Sequence, residues 1–176
     1  MDLIYTIDTL ISVLDETPVK DYPSVMKSIR LSNDEFKPFE IWKESGYSRN
    51  CIVRSPNYEI VLLCWNAGDA TPIHDHNGQK CWVYQVEGSI SEKRYKYENA
   101  ILLETLSTKL SPGKLTYMDD KMGYHALVND SSANATTLHI YLNPIDVCGY
   151  FCDEEKIFKK KSLHYDAFFS QRVITT

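Results

Sequence analysis

Gly68-Asp-Ala-Thr-Pro-Ile-His74-Asp75-His76-Asn-Gly-Gln-Lys-Cys81 is the stretch from which the fold of this chain can be worked out. In an extended backbone, side chains at i and i+2 share a face. His74 and His76 therefore project together, and Asp75 turns the other way. Two imidazoles converging from one strand pack poorly in a core but make good metal ligands. A bare His-x-His is more often a surface or hydrogen-bonded pair. The framing shifts that balance, with Gly68 before the pair and Gly88 after the next apolar run.

On both sides of this stretch lie short β-rich runs: Tyr47–Arg54, Tyr58–Trp65, Lys80–Glu87, Ile90–Tyr97, Ala100–Leu106, Lys114–Met118, His125–Val128 and Thr136–Leu142. Turn signals such as Ser55-Pro-Asn, Asn77-Gly78 and Ser111-Pro-Gly113 separate them. Many short strands at near-regular spacing indicate a barrel or sandwich. The N-terminal third reads differently. Leu3, Ile4, Ile7, Leu10, Ile11 and Leu14 recur at helical spacing, which predicts a helix near residues 2–15. A second helix is expected from Pro23 to Ile29. A third is expected from Ser32 or Asn33, as cap, to about Glu44, with Gly46 as the stop. The expected fold is thus mainly β: one domain over 1–176, with a helical segment (1–45) packed on a β-barrel (46–176).

Composition narrows the function. A length of 176 residues suits one domain with a real core. The net charge of −5 gives no basic surface for nucleic acid or membrane. The one basic run, Lys156–Lys161, is too short to be a binding patch and reads as a solvated strand end or loop. No secretory signal and no apolar run of membrane length is visible. Five cysteines without a Cys-x-x-Cys pair then suggest reduced thiols in the cytoplasm. Cys148 and Cys152 lack a second half-site for zinc and read as buried free thiols.

Two imidazoles hold a metal poorly, so a third ligand is needed, and His125 is the candidate. The residues around these histidines resemble the cupin family, whose jelly-roll barrel carries two motifs. Gly68, His74, His76 and Gly88 match the first in register, while His125 and Asn129 match the second. The second motif's usual proline and glycine are replaced by Asp120 and Met122, and Gly113 sits one residue too far away. Where a cupin usually supplies a glutamate ligand, this chain has Cys81. Three neutral histidines without an anionic ligand leave a divalent metal its full charge. Such a centre favours an anionic, soft ligand such as a thiolate. The open positions suit a chelating substrate and O2, as non-haem Fe(II) oxygenases require, although zinc could take the same ligands. No glutamate is expected close to the histidines as a general base.

Two further groups carry chemistry. Thr137, His139 and Tyr141 share one face of Thr136-Thr-Leu-His-Ile-Tyr141, which either faces solvent or lines a polar cavity as a hydroxyl–imidazole–phenol relay. Tyr47 and Arg49 are i and i+2 on another extended run, where a guanidinium fork can take a carboxylate and a phenol can add a hydrogen bond.

Six segments together resemble one cupin subfamily, the cysteine dioxygenases, from about Tyr47 to Phe169. They are Tyr-x-Arg-Asn at 47–50, Leu-Cys-Trp at 63–65, His-Asp-His with Cys81, Gly-x-His at 123–125, Leu-His-x-Tyr at 138–141 and Pro-x-Asp-x-Cys at 144–148. The resemblance implies Fe(2+) on His74, His76 and His125, and the carboxylate of L-cysteine on Arg49 with help from Tyr47. It implies Tyr141 near the bound sulfur and O2, oriented by His139 and Thr137. It also implies a Cys81–Tyr141 thioether, oxidation of L-cysteine to 3-sulfinoalanine in cysteine catabolism, and a monomer. Three alternatives stay open: a thiol dioxygenase for another small thiol such as 3-mercaptopropionate, a non-catalytic metal-binding cupin, and a zinc-dependent hydrolase or isomerase.

Overall fold

In the computed structural model, which describes residues 2–171, eleven strands follow two short α-helices. They are β1 (Ser48–Arg54), β2 (Tyr58–Trp65), β3 (Lys80–Glu87), β4 (Ile90–Glu98), β5 (Ile101–Leu110), β6 (Leu115–Met118), β7 (Tyr124–Val128), β8 (Ala135–Leu142), β9 (Val147–Cys152), β10 (Ile157–Ser162) and β11 (Ala167–Phe168). Every residue of β2 is buried, because its two faces meet different apolar layers. The larger sheet runs β11-β1-β2-β8-β3-β6. Opposite it lie β5-β4-β7 and β10-β9. The stretch around His74 joins these two pieces through isolated bridges, His74 to His125 on β7 and His74 to Tyr150 on β9. The result is a mainly β barrel, one of the two forms the strand pattern allows and the one that the resemblance to the cupins implies.

Alternation along β8 assigns its two faces. Leu138 and Ile140 point outward into a layer shared with Leu10, Leu14, Met26 and Phe36 of the N-terminal segment. Tyr141 points inward with Val61, Leu63, Trp65, Cys81 and Val83. Each fully buried apolar side chain of this kind contributes roughly 1.5–3 kcal/mol, so the helices stabilise the sheet by covering its outer face.

The first α-helix, α1, spans Ile7–Glu16 and begins later than the periodicity suggests. Thr6 is its N-cap, accepting from the Thr9 N–H, while Ile4 lies in an extended bridge to Ile29. The second, α2, spans Tyr22–Lys27 with Pro23 in its first turn. The third expected helix is a 3-10 helix over Asn33–Phe39, and Ser32 makes no side-chain cap bond. Pro38 inside the run removes a donor and disfavours continuation. Glu35 instead reaches back to accept from the Ile7 N–H at the start of α1. Strands β9, β10 and β11 were not anticipated. The lysine run of 156–161 lies largely on β10, solvated as expected. Cys148 is buried and Cys152 half-buried, both as free thiols.

Candidate metal centre

His74 and His76 sit on the connection between β2 and β3, and His125 on β7. Their ring centroids lie 4.6–5.3 Å apart. One ligand atom from each can be chosen so that all lie within 4.8 Å of one another, the one such cluster among the described residues. The turn holding His-Asp-His is tied down from two directions. Asp75 faces away from the cluster, as the i, i+2 geometry requires, and its Oδ1 accepts from the N–H groups of Gly149 and Asn77. A Cβ at Gly149 would overlap the Asp75 carboxylate, so glycine is what allows this approach. On the other side, Asp120 accepts from the backbone N–H of His76 and Gly78.

Hydrogen bonds set the imidazole tautomers. Nδ1 of His74 lies 2.9 Å from the Pro72 carbonyl, and Nδ1 of His125 lies 3.0 Å from Glu92 Oε1. Both acceptors favour an Nδ1–H donor, which leaves each Nε2 lone pair free for a metal. Burial, reinforced by the neighbouring imidazoles, lowers the His74 pKa to about 3 and holds that of His76 well below its ordinary value. Neutral rings are the ligating form. Nε2 of His125 and Nδ1 of His76 are buried without a hydrogen-bond partner, an arrangement that costs about 1–3 kcal/mol per group unless something binds there. The donor set thus fits a divalent metal.

Glu92 is a site residue that no motif marks. It lies against the cluster, buried on β4 behind the His125 ring, with Oε2 accepting from Thr116 and Arg94. It contacts the ring from the side away from the free Nε2, so it orients a ligand instead of acting as a base. No local spacing signals it, because its partner lies 33 residues further on.

The relay on β8 faces the interior, which excludes the solvent-facing alternative. Thr137 Oγ1 lies 2.9 Å from His139 Nε2, and His139 Nδ1 lies 3.4 Å from the Tyr141 hydroxyl. The Trp65 indole N–H donates to Thr137 Oγ1 and extends the chain by one link. Burial lowers the His139 pKa well below its ordinary value and raises that of Tyr141. Cys81 on β3 is the direct cross-strand partner of Tyr141. Its thiol pKa is likewise raised by burial.

Arg49 on β1 is buried, with its guanidinium carbon 6.0 Å from the centre of the Tyr141 ring. Its Nε and one terminal nitrogen have no hydrogen-bond partner. Glu59, fully buried, stands 3.8 Å away, close enough to balance charge but too far to hydrogen-bond. Burial opposes the charge on Arg49, while Tyr141, Glu59 and Tyr47 hold its pKa above the ordinary value. Tyr47 packs on Trp65 at 4.8 Å between ring centroids. Tyr47, Arg49, His74, His76, His139, Tyr141 and Cys148 line one small cavity. All nine residues singled out in the sequence therefore gather here, Cys81 and Thr137 from behind the lining and His125 through the histidine cluster. Lys161 and Leu163 line the same cavity and were not anticipated.

A cupin barrel holding three convergent histidines defines a metal-site cupin. The model of the cysteine dioxygenase type I family matches residues 1–154, and the chain belongs to that family, which makes it a thiol dioxygenase by membership. Cysteine dioxygenase type 1 of Homo sapiens is 25% identical over 142 residues, covering 78% of this chain and 71% of the human protein. The Danio rerio protein is 24% identical over 156 residues, covering 85% and 77%. Among solved structures, TT1209 of Thermus thermophilus superposes with a TM-score of 0.51 at 20% identity, over 61% of this chain and 93% of that one. That likeness speaks for the fold alone. Among the described residues, no helix is long and apolar enough to cross a membrane.

Proposed function

We propose that the chain is a cysteine dioxygenase that uses Fe(2+) on His74, His76 and His125 to convert L-cysteine and O2 into 3-sulfinoalanine. Bound iron supplies the redox chemistry with O2, and the balance is simple: both oxygen atoms end on the sulfur of the thiol. The protein's part is positioning and charge matching. Arg49 takes the substrate carboxylate on its guanidinium, with Tyr47 beside it. The three neutral histidines leave the metal's positive charge to favour the thiolate form of the substrate. The Tyr141 hydroxyl, oriented by His139 and Thr137, places a hydrogen-bond donor at the reacting sulfur. The surrounding apolar wall of Leu63 and Leu127 limits water.

The observation that carries this reading is a buried guanidinium, with two nitrogens lacking hydrogen-bond partners, set across one small cavity from a cluster of neutral histidines. The same reading includes a Cys81–Tyr141 thioether, a two-electron oxidation in which the S–H hydrogen and one ring hydrogen leave and O2 is the oxidant. A monomer working in the cytoplasm, in the breakdown of cysteine toward taurine and sulfite, completes it. The test is anaerobic addition of L-cysteine to the Fe(2+) protein, followed by O2. One O2 should be consumed per sulfinate formed. Absence of sulfinate from a fully iron-loaded protein would refute the proposal, and faster turnover of 3-mercaptopropionate than of L-cysteine would reassign the substrate.

A further inference from the structure

The segment from Leu163 to Ser170 is fastened to the strand that carries Arg49. Ala167 and Phe168 pair in parallel with Asn50 and Cys51. The Phe169 N–H donates to the Cys51 carbonyl and the Arg54 N–H to the Ser170 carbonyl. At Arg49 itself the attachment is different in kind. The Arg49 N–H donates to Asp166 Oδ2 at 2.9 Å, and the Asp166 N–H donates to the Arg49 carbonyl at 2.8 Å. One residue thus satisfies both backbone polar groups of Arg49. Without it β1 would be a bare sheet edge at this point.

The same segment reaches the other end of the arginine. The Tyr165 hydroxyl donates to Glu59 Oε2 at 2.6 Å, and Glu59 is the buried anion facing the Arg49 guanidinium. Leu163 completes the wall of the cavity. The arginine is therefore held at its backbone by Asp166 and met at its head by a carboxylate that Tyr165 and Arg54 hold from the far side.

We propose that this C-terminal strap belongs to the substrate-binding apparatus, with Asp166 as a positioning residue that fixes Arg49 for carboxylate recognition. The proposal rests on the carboxylate-binding reading of Arg49 given above. Displacing a binding group by about 1 Å can cost up to about a hundredfold in rate, so a loosened backbone at Arg49 should appear in substrate affinity. A strap that only covered the sheet edge would change the melting temperature and leave KM alone.

The test compares the iron-loaded wild type with Asp166→Ala and Asp166→Asn, by sulfinate formation from L-cysteine. The alanine variant should raise KM about tenfold while kcat falls less than about threefold. The asparagine variant keeps an oxygen acceptor for the Arg49 N–H and should restore KM to within about twofold. An unchanged KM in the alanine variant, or equal impairment in both, overturns the proposal. Wild type that forms no sulfinate refutes the function and not the clamp. Amide hydrogen exchange over residues 48–54 then decides: it should quicken in Asp166→Ala but not in Asp166→Asn, and equal exchange in all three proteins counts against the clamp.

Discussion

Replacing Glu92 by glutamine tests whether a buried carboxylate sets the tautomer of a metal ligand. Both partners are 1% exposed, so water cannot take over the lost role. Glu92 Oε1 accepts from His125 Nδ1, while Oε2 accepts from the Thr116 hydroxyl and from Arg94. A glutamine has one oxygen and one amide nitrogen to offer these two sides. Arg94 donates only, and the Thr116 hydroxyl already accepts from Arg94 at 2.8 Å. The amide oxygen must therefore face them, which turns the NH2 toward His125. That forces Nδ1 to accept and moves the ring proton to Nε2, the atom a metal needs free. Reversing the ring tautomer leaves two donors face to face, at a cost of about 1–3 kcal/mol. The expected loss is about 10–100-fold in metal affinity, measured anaerobically by competition with a chelator for Fe(2+) and repeated with Zn(2+). Circular dichroism and a thermal melt would verify that the variant is folded. A folded Glu92→Gln protein that binds both metals within about twofold of wild type would refute the tautomer reasoning.

Other perturbations give equally direct readings. An intact-mass measurement after turnover should find a species about two hydrogens lighter, mapping to a peptide joining Cys81 and Tyr141, and Cys81→Ala should abolish it; a full unmodified mass after exhaustive turnover would dismiss the thioether. Gly123→Ala should destabilise by roughly 2–4 kcal/mol in urea unfolding, because Gly123 has φ +101° and a Cβ there would overlap the Tyr95 carbonyl; an unshifted midpoint would contradict this. His139 has a folded pKa well below its ordinary value of 6.5, so below pH 6.5 the unfolded chain takes up a proton that the folded chain refuses. Its contribution is present at neutral pH and is lost on acidification, at up to about 1.4 kcal/mol per pH unit. His139→Gln should flatten the fall in unfolding free energy between about pH 7.5 and 5.5, and an equally steep fall in the variant would count against it.

The parts readable in the sequence were those governed by short-range rules. β2 and β3 begin and end where alternation and turn residues put them, because both strands are central and strongly apolar. The convergence of His74 and His76 follows from an i, i+2 spacing, and so does the shared face of Thr137, His139 and Tyr141. What escaped depends on pairing between distant segments. Gly149 and the lysines of 159–161 hide β9 and β10 from any hydrophobic pattern, although these two strands pair residue for residue from Val147 to Cys152. Glu92 looks like one more charge on a half-exposed strand until β4 is laid beside β7. Asp166 shows no local signal at all, since its meaning lies in the backbone of a residue 117 positions earlier.

Cys81 and Tyr141 face each other across neighbouring strands, yet about 60 residues of chain separate them. A covalent bond between them would close a loop of that size in the unfolded ensemble. By loop-closure entropy such a constraint stabilises the native state by about 4 kcal/mol, a large fraction of the roughly 5–15 kcal/mol that holds a typical domain together. Where the bond forms only on turnover, lifetime and activity become linked: molecules that have worked would resist unfolding longer than newly made ones, and the population would age toward greater durability.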